Sequence, residues 1–224
     1  MIKSKKQGQL IIISAPSGAG KGTIIKELLK LNKNLHLSIS ATTRAPRPGD
    51  IPNESYYFFS KEEFEQKIKE DYFLEHAKYL DNYYGTPKQN IQNKLDEGID
   101  VILEIEIQGA MQIKDKVPEA LFIFIMPPTI KELKSRLVNR KTESKEDMLK
   151  RFKESYKEIN TVTKYNYVVM NDEINLAADK VNSIIKAEKC RVDRIEEVYL
   201  STEEEYIHEL LIDDKEFTNE NIEL

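Results

Sequence analysis

Apolar and polar positions alternate between two periods along this chain. Gln9 to Ser14 is a short apolar run ended by turn residues, the pattern of a buried strand. Lys21 to Leu31 then carries Ile24, Ile25, Leu28 and Leu29 at helical spacing. Val101 to Ile107 and Leu121 to Met126 predict further strands, the second stopped by Pro127 and Pro128. Helical patterns cover Gln108 to Lys116, Thr129 to Arg140 and Glu146 to Asn160, followed by a strand at Tyr167 to Met170 and a helix at Asn175 to Lys189. Strands alternating with helices predict an α/β fold with a parallel sheet. Ser38 to Gly98 breaks the rhythm. It is rich in tyrosine and basic residues and reads as a small insert of mixed structure, the kind of segment on which ligand-binding residues often sit. Beyond Arg194 the apolar pattern thins to Tyr206, Ile207, Leu210, Leu211 and Ile212, which predicts a last amphipathic turn or two and then a frayed tail.

Composition changes this picture in three ways. With 224 residues, 40% hydrophobic and 33% charged, the chain can bury one substantial core, which excludes collagen-like, disulfide-scaffold and disordered classes. Cys190 is the single cysteine and there are only three histidines, so neither an internal disulfide nor a cysteine–histidine metal cluster is expected. The run Leu10 to Ile13 is too short for a secretory or membrane segment, and a cytoplasmic protein is expected. The net charge of −5 conceals an asymmetry. Residues 195–224 hold eleven acidic residues against Lys215, so residues 1–194 are mildly basic. That balance suits small anionic ligands, and no basic stripe suggests nucleic acid.

The chemistry begins at Ser14-Ala15-Pro16-Ser17-Gly18-Ala19-Gly20-Lys21-Gly22-Thr23, which follows the first strand and opens the first helix. That is the context of a phosphate-binding loop. Gly18 and Gly20 let successive N–H groups turn inward, the helix N-terminus adds its positive end, and Lys21 supplies a point charge. The strict pattern fails at Ala15, where the first glycine belongs, and at Gly22, where a magnesium-binding hydroxyl belongs. Thr23 is the nearest substitute. Magnesium is therefore expected to be held mainly by nucleotide phosphates and waters, with no direct protein ligand unless Thr23 serves.

In the insert, Arg44 and Arg47, stiffened by Pro46 and Pro48, make a fork suited to a phosphate dianion. Tyr56 and Tyr84 offer hydroxyls to the same phosphate or to a ribose. Glu75, inside Phe73-Leu74-Glu75-His76-Ala77, is a carboxylate in need of a partner. Guanine presents two adjacent donors that a carboxylate accepts, whereas adenine presents an acceptor on that edge. His76 reads as a packing residue. In Val101 to Ile107, alternation puts Glu104 and Glu106 on one face, about 7 Å apart, at the carboxyl end where open α/β sheets bind ligands. Arg136 and Arg140 share a helix face, with Arg151 further on; Glu132 and Arg136 also fit a surface ion pair. Arginines on a closing segment would neutralise a moving phosphoryl group.

Taken together, Thr42-Thr43-Arg44 with Pro46-Arg47-Pro48-Gly49, Asn82-Tyr83-Tyr84-Gly85, Gln108-Gly109 and Val169-Met170-Asn171-Asp172 resemble the guanylate kinase family, in family order, from Gln9 to Arg191. The resemblance implies a P-loop NTPase-type parallel-sheet core (1–37, 95–128 and 161–194), an inserted GMP-binding domain (38–94), a helical lid (129–160) and an acidic C-terminal tail (195–224). It implies ATP-dependent phosphorylation of GMP and dGMP with Mg2+. Ala15 to Thr23 and Asn171 would bind ATP. Ser40, Arg44, Arg47, Tyr56 and Tyr84 would hold the GMP phosphate, and Glu75 and Thr86 the guanine, with Glu104 and Glu106 also on the substrate side. Lys21, Arg44, Arg136, Arg140 and Arg151 would be catalytic. The chain departs from the family with glutamates for aspartates at 104 and 106, with Arg140 between Asn139 and Lys141 rather than glycines, and with Asn53 for glycine, a residue that tolerates positive φ. Two alternatives stay open at this stage. One is another nucleoside monophosphate kinase, favoured by Gly-Lys-Gly-Thr, and the other is a non-catalytic guanylate-kinase-like interaction domain. Oligomeric state is not legible.

Overall fold

The computed structural model describes residues 2–4, 7–79, 81–138 and 145–198. In chain order the strands are β1 (Ile2–Ser4), β2 (Leu10–Ser14), β3 (Leu35–Leu37), β4 (Ala41–Thr42), β5 (Tyr57–Phe58), β6 (Phe73–Tyr79), β7 (Asn82–Pro87), β8 (Asp100–Glu104), β9 (Leu121–Met126), β10 (Tyr167–Met170) and β11 (Ile195–Val198). The helices are α1 (Lys21–Leu31), α2 (Lys61–Lys69), α3 (Lys88–Asp96), α4 (Ile107–Lys116), α5 (Ile130–Val138), α6 (Lys145–Ile159) and α7 (Ile174–Glu188). The chain divides into two compact units, residues 6–185 and a smaller one of residues 1–5 and 186–224.

In the larger unit the expected parallel sheet has five strands in the order β10-β9-β2-β8-β3. β2 lies at its centre, paired in parallel with β8 and β9. All five of its residues are buried, and the pleat sends them alternately to two layers. Ile11 and Ile13 pack with Ile24, Ile25 and Leu28 of α1 and Ala177, Ala178 and Val181 of α7. Leu10 and Ile12 pack with Ile91 and Leu95 of α3 and Ala110 and Ile113 of α4. A strand covered on both faces reads as the continuous apolar run seen in the sequence.

The insert builds a second, mixed sheet in the order β5-β4-β7-β6. Its own small core is aromatic. Phe64 of α2, fully buried, stacks on Phe73 at 4.4 Å and on Tyr83 at 5.3 Å. α2 starts with a capping box in which Ser60 and Glu63 satisfy each other's backbone N–H groups. β6 is tied to the core at α4, where Gln112 Nε2 donates to His76 O at 2.8 Å and Lys116 Nζ to Leu74 O at 2.7 Å.

Two sequence expectations are corrected and one strand is added. The strand expected through Ile107 ends at Glu104, and Glu106 is the N-cap of α4, so alternation does not set the geometry of Glu106. Leu35–Leu37, unread in the sequence, is the fifth sheet strand, paired with β8. The segment after Arg194, expected to hold a last amphipathic turn or two and then a frayed tail, begins with β11, which pairs antiparallel with β1 inside the smaller unit. There Glu188, 2% exposed at its side chain, is bridged by Arg191 and Arg194. Residues 199–224, with the rest of the acidic tail, lie outside the described residues. Among the described residues no helix is long and apolar enough to cross a membrane.

Gly8 enters β2 with its N–H on Leu95 O at 2.7 Å, and a β-carbon there would lie 2.0 Å from the Ile99 carbonyl oxygen. Backbone must shift to admit it. Gly8→Ala is expected to lower stability by about 2 kcal/mol in urea unfolding, and a wild-type midpoint would contradict the contact.

Candidate active site

The loop between β2 and α1 is built on two left-handed glycines, Gly18 at φ 89° and Gly20 at φ 91°. Gly20 is the N-cap of α1, and no side chain caps the helix or places an acid in its first turn. The first-turn N–H groups of a helix lack partners within the helix, which leaves this end suited to an anion. A β-carbon on Gly20 would meet Asn171 Nδ2 at 2.4 Å. That approach is used, because Asn171 Nδ2 donates to Ala19 O at 2.7 Å and Arg136 Nη1 donates to the same carbonyl at 3.3 Å.

Lys21 is 13% exposed at its side chain. Its ammonium donates to Ile105 O at 3.1 Å and lies 3.7 Å from Glu106. Glu104 ends β8 beside the loop, with Oε1 3.3 Å from where a Gly22 β-carbon would stand. A serine or threonine at position 22 would crowd that carboxylate, so the irregular glycine leaves Glu104 its place. Burial, and then the Glu104 charge, push the Tyr56 hydroxyl above its ordinary range. Thr23 is exposed. Glu104, Thr23 and phosphate oxygens are hard donors of the kind magnesium takes, while no cluster of three potential protein ligands exists among the described residues.

On the insert, Arg44 Nη2 donates to Asp50 Oδ2 at 2.9 Å, and the same oxygen accepts the Arg47 N–H at 2.7 Å. The backbone bond from Arg47, and then the Arg44 guanidinium, hold the Asp50 carboxyl below its ordinary range. Arg44 stands 5.3 Å over the Tyr56 ring, and Tyr56 meets Tyr84 edge-on at 6.3 Å. Arg47 is exposed and Ser40 half-buried. The loop leading to Tyr56 turns through Asn53 at φ 65°, as expected for an asparagine there.

Glu75 is 4% exposed, and Thr86 Oγ1 donates to its Oε1 at 2.6 Å. Gly109 of α4 is what lets it in, because a β-carbon there would lie 2.3 Å from Glu75 Oε2. Burial pushes the carboxyl up to about 7. A raised native value means that this group's contribution to stability is fully present below its unfolded value and is lost as pH rises through about 7. Burial, and then Lys116, push the His76 imidazole below its ordinary range, and its backbone carbonyl is held by Gln112.

The guanylate kinase family model matches residues 7–188. The chain belongs to the guanylate kinase family. It is 58% identical to the guanylate kinase of Clostridium tetani, over 93% of this chain and all of that one. It is 57% identical to that of Caldanaerobacter subterraneus, over 91% and 98%. A crystal structure of guanylate kinase from Anaplasma phagocytophilum matches with a TM-score of 0.73 at 31% identity, covering 97% of this chain and 99% of that one.

Within this family member the structure brings Lys21, Glu104 and Glu106 together at the loop, Arg44, Tyr56 and Tyr84 together on the insert, and Glu75 with Thr86 at the α4 joint. Arg136 and Asn171 are placed as supports of the loop, since both donate to Ala19 O, and Arg136 also pairs with Glu132 at 3.1 Å. Arg151 lies in α6. Arg140 is outside the described residues. Sequence reasoning gave no role to Asp50 or Gly109. For Asp50 a signal exists, an acid closing a Pro-Gly turn three residues after Arg47. For Gly109 none does, because its partner lies on another element.

Gly20→Ala is expected to reduce binding of a fluorescent ATP analogue at least about tenfold, through strain at a positive φ and displacement of Asn171. Titration reaching wild-type affinity would refute this account of the loop.

Proposed function

We propose that the protein transfers the terminal phosphoryl group of ATP to the phosphate of GMP, and of dGMP, giving ADP and GDP. The observation that carries this reading is the position of Glu104. It borders the space beside Gly22 at the loop, and its charge also acts on Tyr56, which lies under Arg44. One residue thus adjoins both the donor-phosphate loop and the candidate acceptor-phosphate cluster.

In this reading residues 38–94 bind the acceptor and 129–160 form the lid. Lys21 and the amides of the loop from Ala15 to Thr23 bind the ATP phosphates. Arg44 and Arg47, with Ser40, Tyr56 and Tyr84, bind the acceptor phosphate. Glu75 accepts from guanine N1–H and the exocyclic amine while Thr86 fixes its rotamer. Glu106 orients Lys21. An oxygen of the GMP phosphate bonds to the γ-phosphorus as the bond to the ADP oxygen breaks in line, with no covalent enzyme intermediate. Catalysis is positioning and charge neutralisation, with lid arginines Arg136, Arg140 and Arg151 adding positive charge. Mg2+ bound with ATP supplies further neutralisation, and Glu104 and Thr23 are the residues that would hold it, through its waters. An adenine at the Glu75 position would set a lone pair against the carboxylate, which disfavours the adenylate kinase alternative. The intact loop and arginine pair disfavour a non-catalytic module.

Coupled ADP release with GMP, dGMP, AMP and UMP tests the assignment. GMP is expected to turn over fastest, and faster turnover of AMP would overturn it. Lys21→Met is expected to lower kcat at least about 10²-fold with GMP binding retained; a near-normal rate would refute the role of Lys21. Because ionised Glu75 is the form that accepts two donors, GMP affinity is expected to rise between pH 6 and 8. In calorimetry Glu75→Gln should flatten the part of that slope due to this group and weaken GMP far more than ATP. Equal losses for both nucleotides would count against base reading by Glu75.

A further inference from the structure

The last turns of α6 reach Ser17 of the phosphate loop. Ser155 Oγ, fully buried, donates to Ser17 O at 3.3 Å. The Ser17 N–H lies near the Glu158 carboxylate and favours its ionised form. Residues three apart share a helix face, so one face of α6 meets both backbone groups of Ser17. Gly18, the next residue, is the first left-handed turn of the loop. Any rotation at Ser17 therefore redirects the amides that follow.

Glu158 has a demanding position. Its second oxygen, Oε2, is buried with no hydrogen-bond partner among the described residues. Glu106 and Glu154 repel its charge and Lys21 attracts it, while the buried Tyr165 hydroxyl lies close by. Burial and Glu106 push the carboxyl up to about 7. An acid beside another acid under a phosphate site is unfavourable on electrostatic grounds alone. The nearby backbone N–H of Ser17 and the Lys21 ammonium offset part of that cost.

We propose that Ser155 and Glu158 are positioning residues that clasp Ser17, so that the fit of the loop to ATP phosphates depends on the seating of α6. This rests on the reading of the loop as the ATP site. Because α6 belongs to the segment assigned as lid, the clasp joins donor-nucleotide binding to lid position through one peptide unit. Arg151 lies four residues before Ser155 in the same helix, so a disturbance of the clasp also shifts the backbone that carries it.

The test uses the full chain and compares Glu158→Ala, Glu158→Gln and Ser155→Ala. Each is titrated with a fluorescent ATP analogue in the absence of GMP, and KM is measured for ATP and for GMP separately. Loss of the carboxylate beside the Ser17 N–H is expected to weaken ATP about tenfold in Glu158→Ala, with KM for GMP within about twofold. Glu158→Gln, which keeps an acceptor oxygen, should recover most of the loss. Since both side chains act on Ser17, the double variant should lose less than the product of the single losses. Equal rises in both KM values, or failure of Gln to rescue, overturns the proposal. If Glu158→Ala does not fold, Ser155→Ala carries the same comparison, and a loss confined to ATP supports the clasp while an unchanged or shared loss overturns it. Should wild type bind the ATP analogue but fail to phosphorylate GMP, the assigned reaction fails while the titration still reads the clasp.

Discussion

Gly20 sits at φ 91° with Asn171 Nδ2 packed where its β-carbon would be. That contact settles several things at once. It ends the loop and starts α1, so the helix presents its uncapped end to the same space as Lys21. It leaves Ala19 O turned outward to accept from both Asn171 and Arg136. Through Asn171 N–H, which donates to Met126 O at 2.7 Å, it fastens the loop to the end of β9. The loop's curvature is therefore set from below, by β2 and β9, and from the side, by α5 and α6. A flexible glycine-rich turn would have to pay an ordering entropy when a nucleotide arrives. This one is already held.

Three of the cations assigned to phosphates have a carboxylate beside them. Lys21 has Glu106, Arg44 has Asp50 and Arg136 has Glu132. Such pairs hold long side chains near their working geometry, and an incoming phosphate exchanges one anionic partner for another instead of ordering a free side chain. Eleven acidic residues follow Arg194 in the sequence, while three others, Glu106, Asp50 and Glu132, are placed singly against cations of the site.

Residues that act through neighbours in sequence were legible, and residues that act through distant ones were not. The apolar runs of β2 and β9 announce themselves because both faces of the sheet are covered there, and α1 announces itself by its helical stripe. β3 escaped because three residues, Leu35-His36-Leu37, cannot display a period. Glu106 was misread for the opposite reason. Ile105 and Ile107 continue the alternation of β8, yet the chain turns there to begin α4, and only the layer packing of Ile107 reveals it. The phosphate loop, the arginine pair and Glu75 carry their chemistry in their own sequence. Gly109, Ser155 and Glu158 work by touching Glu75 and Ser17, elsewhere in the chain, and nothing beside them indicates it.

The placement of the insert has a kinetic side. β3 and β8 are neighbours in the sheet, with Leu35 opposite Asp100, and the whole of the insert lies between them in sequence. Joining these strands while that segment is a random coil closes a long loop, which is entropically costly and slow. The hairpin of β6 and β7 and the stack of Phe64 on Phe73 and Tyr83 involve contacts much closer in sequence. Once they collapse on themselves, the distance to be spanned between Leu37 and Asp100 shrinks. The aromatic core of the insert thereby acts as a tether-shortener for the edge of the parallel sheet, a duty separate from binding any ligand.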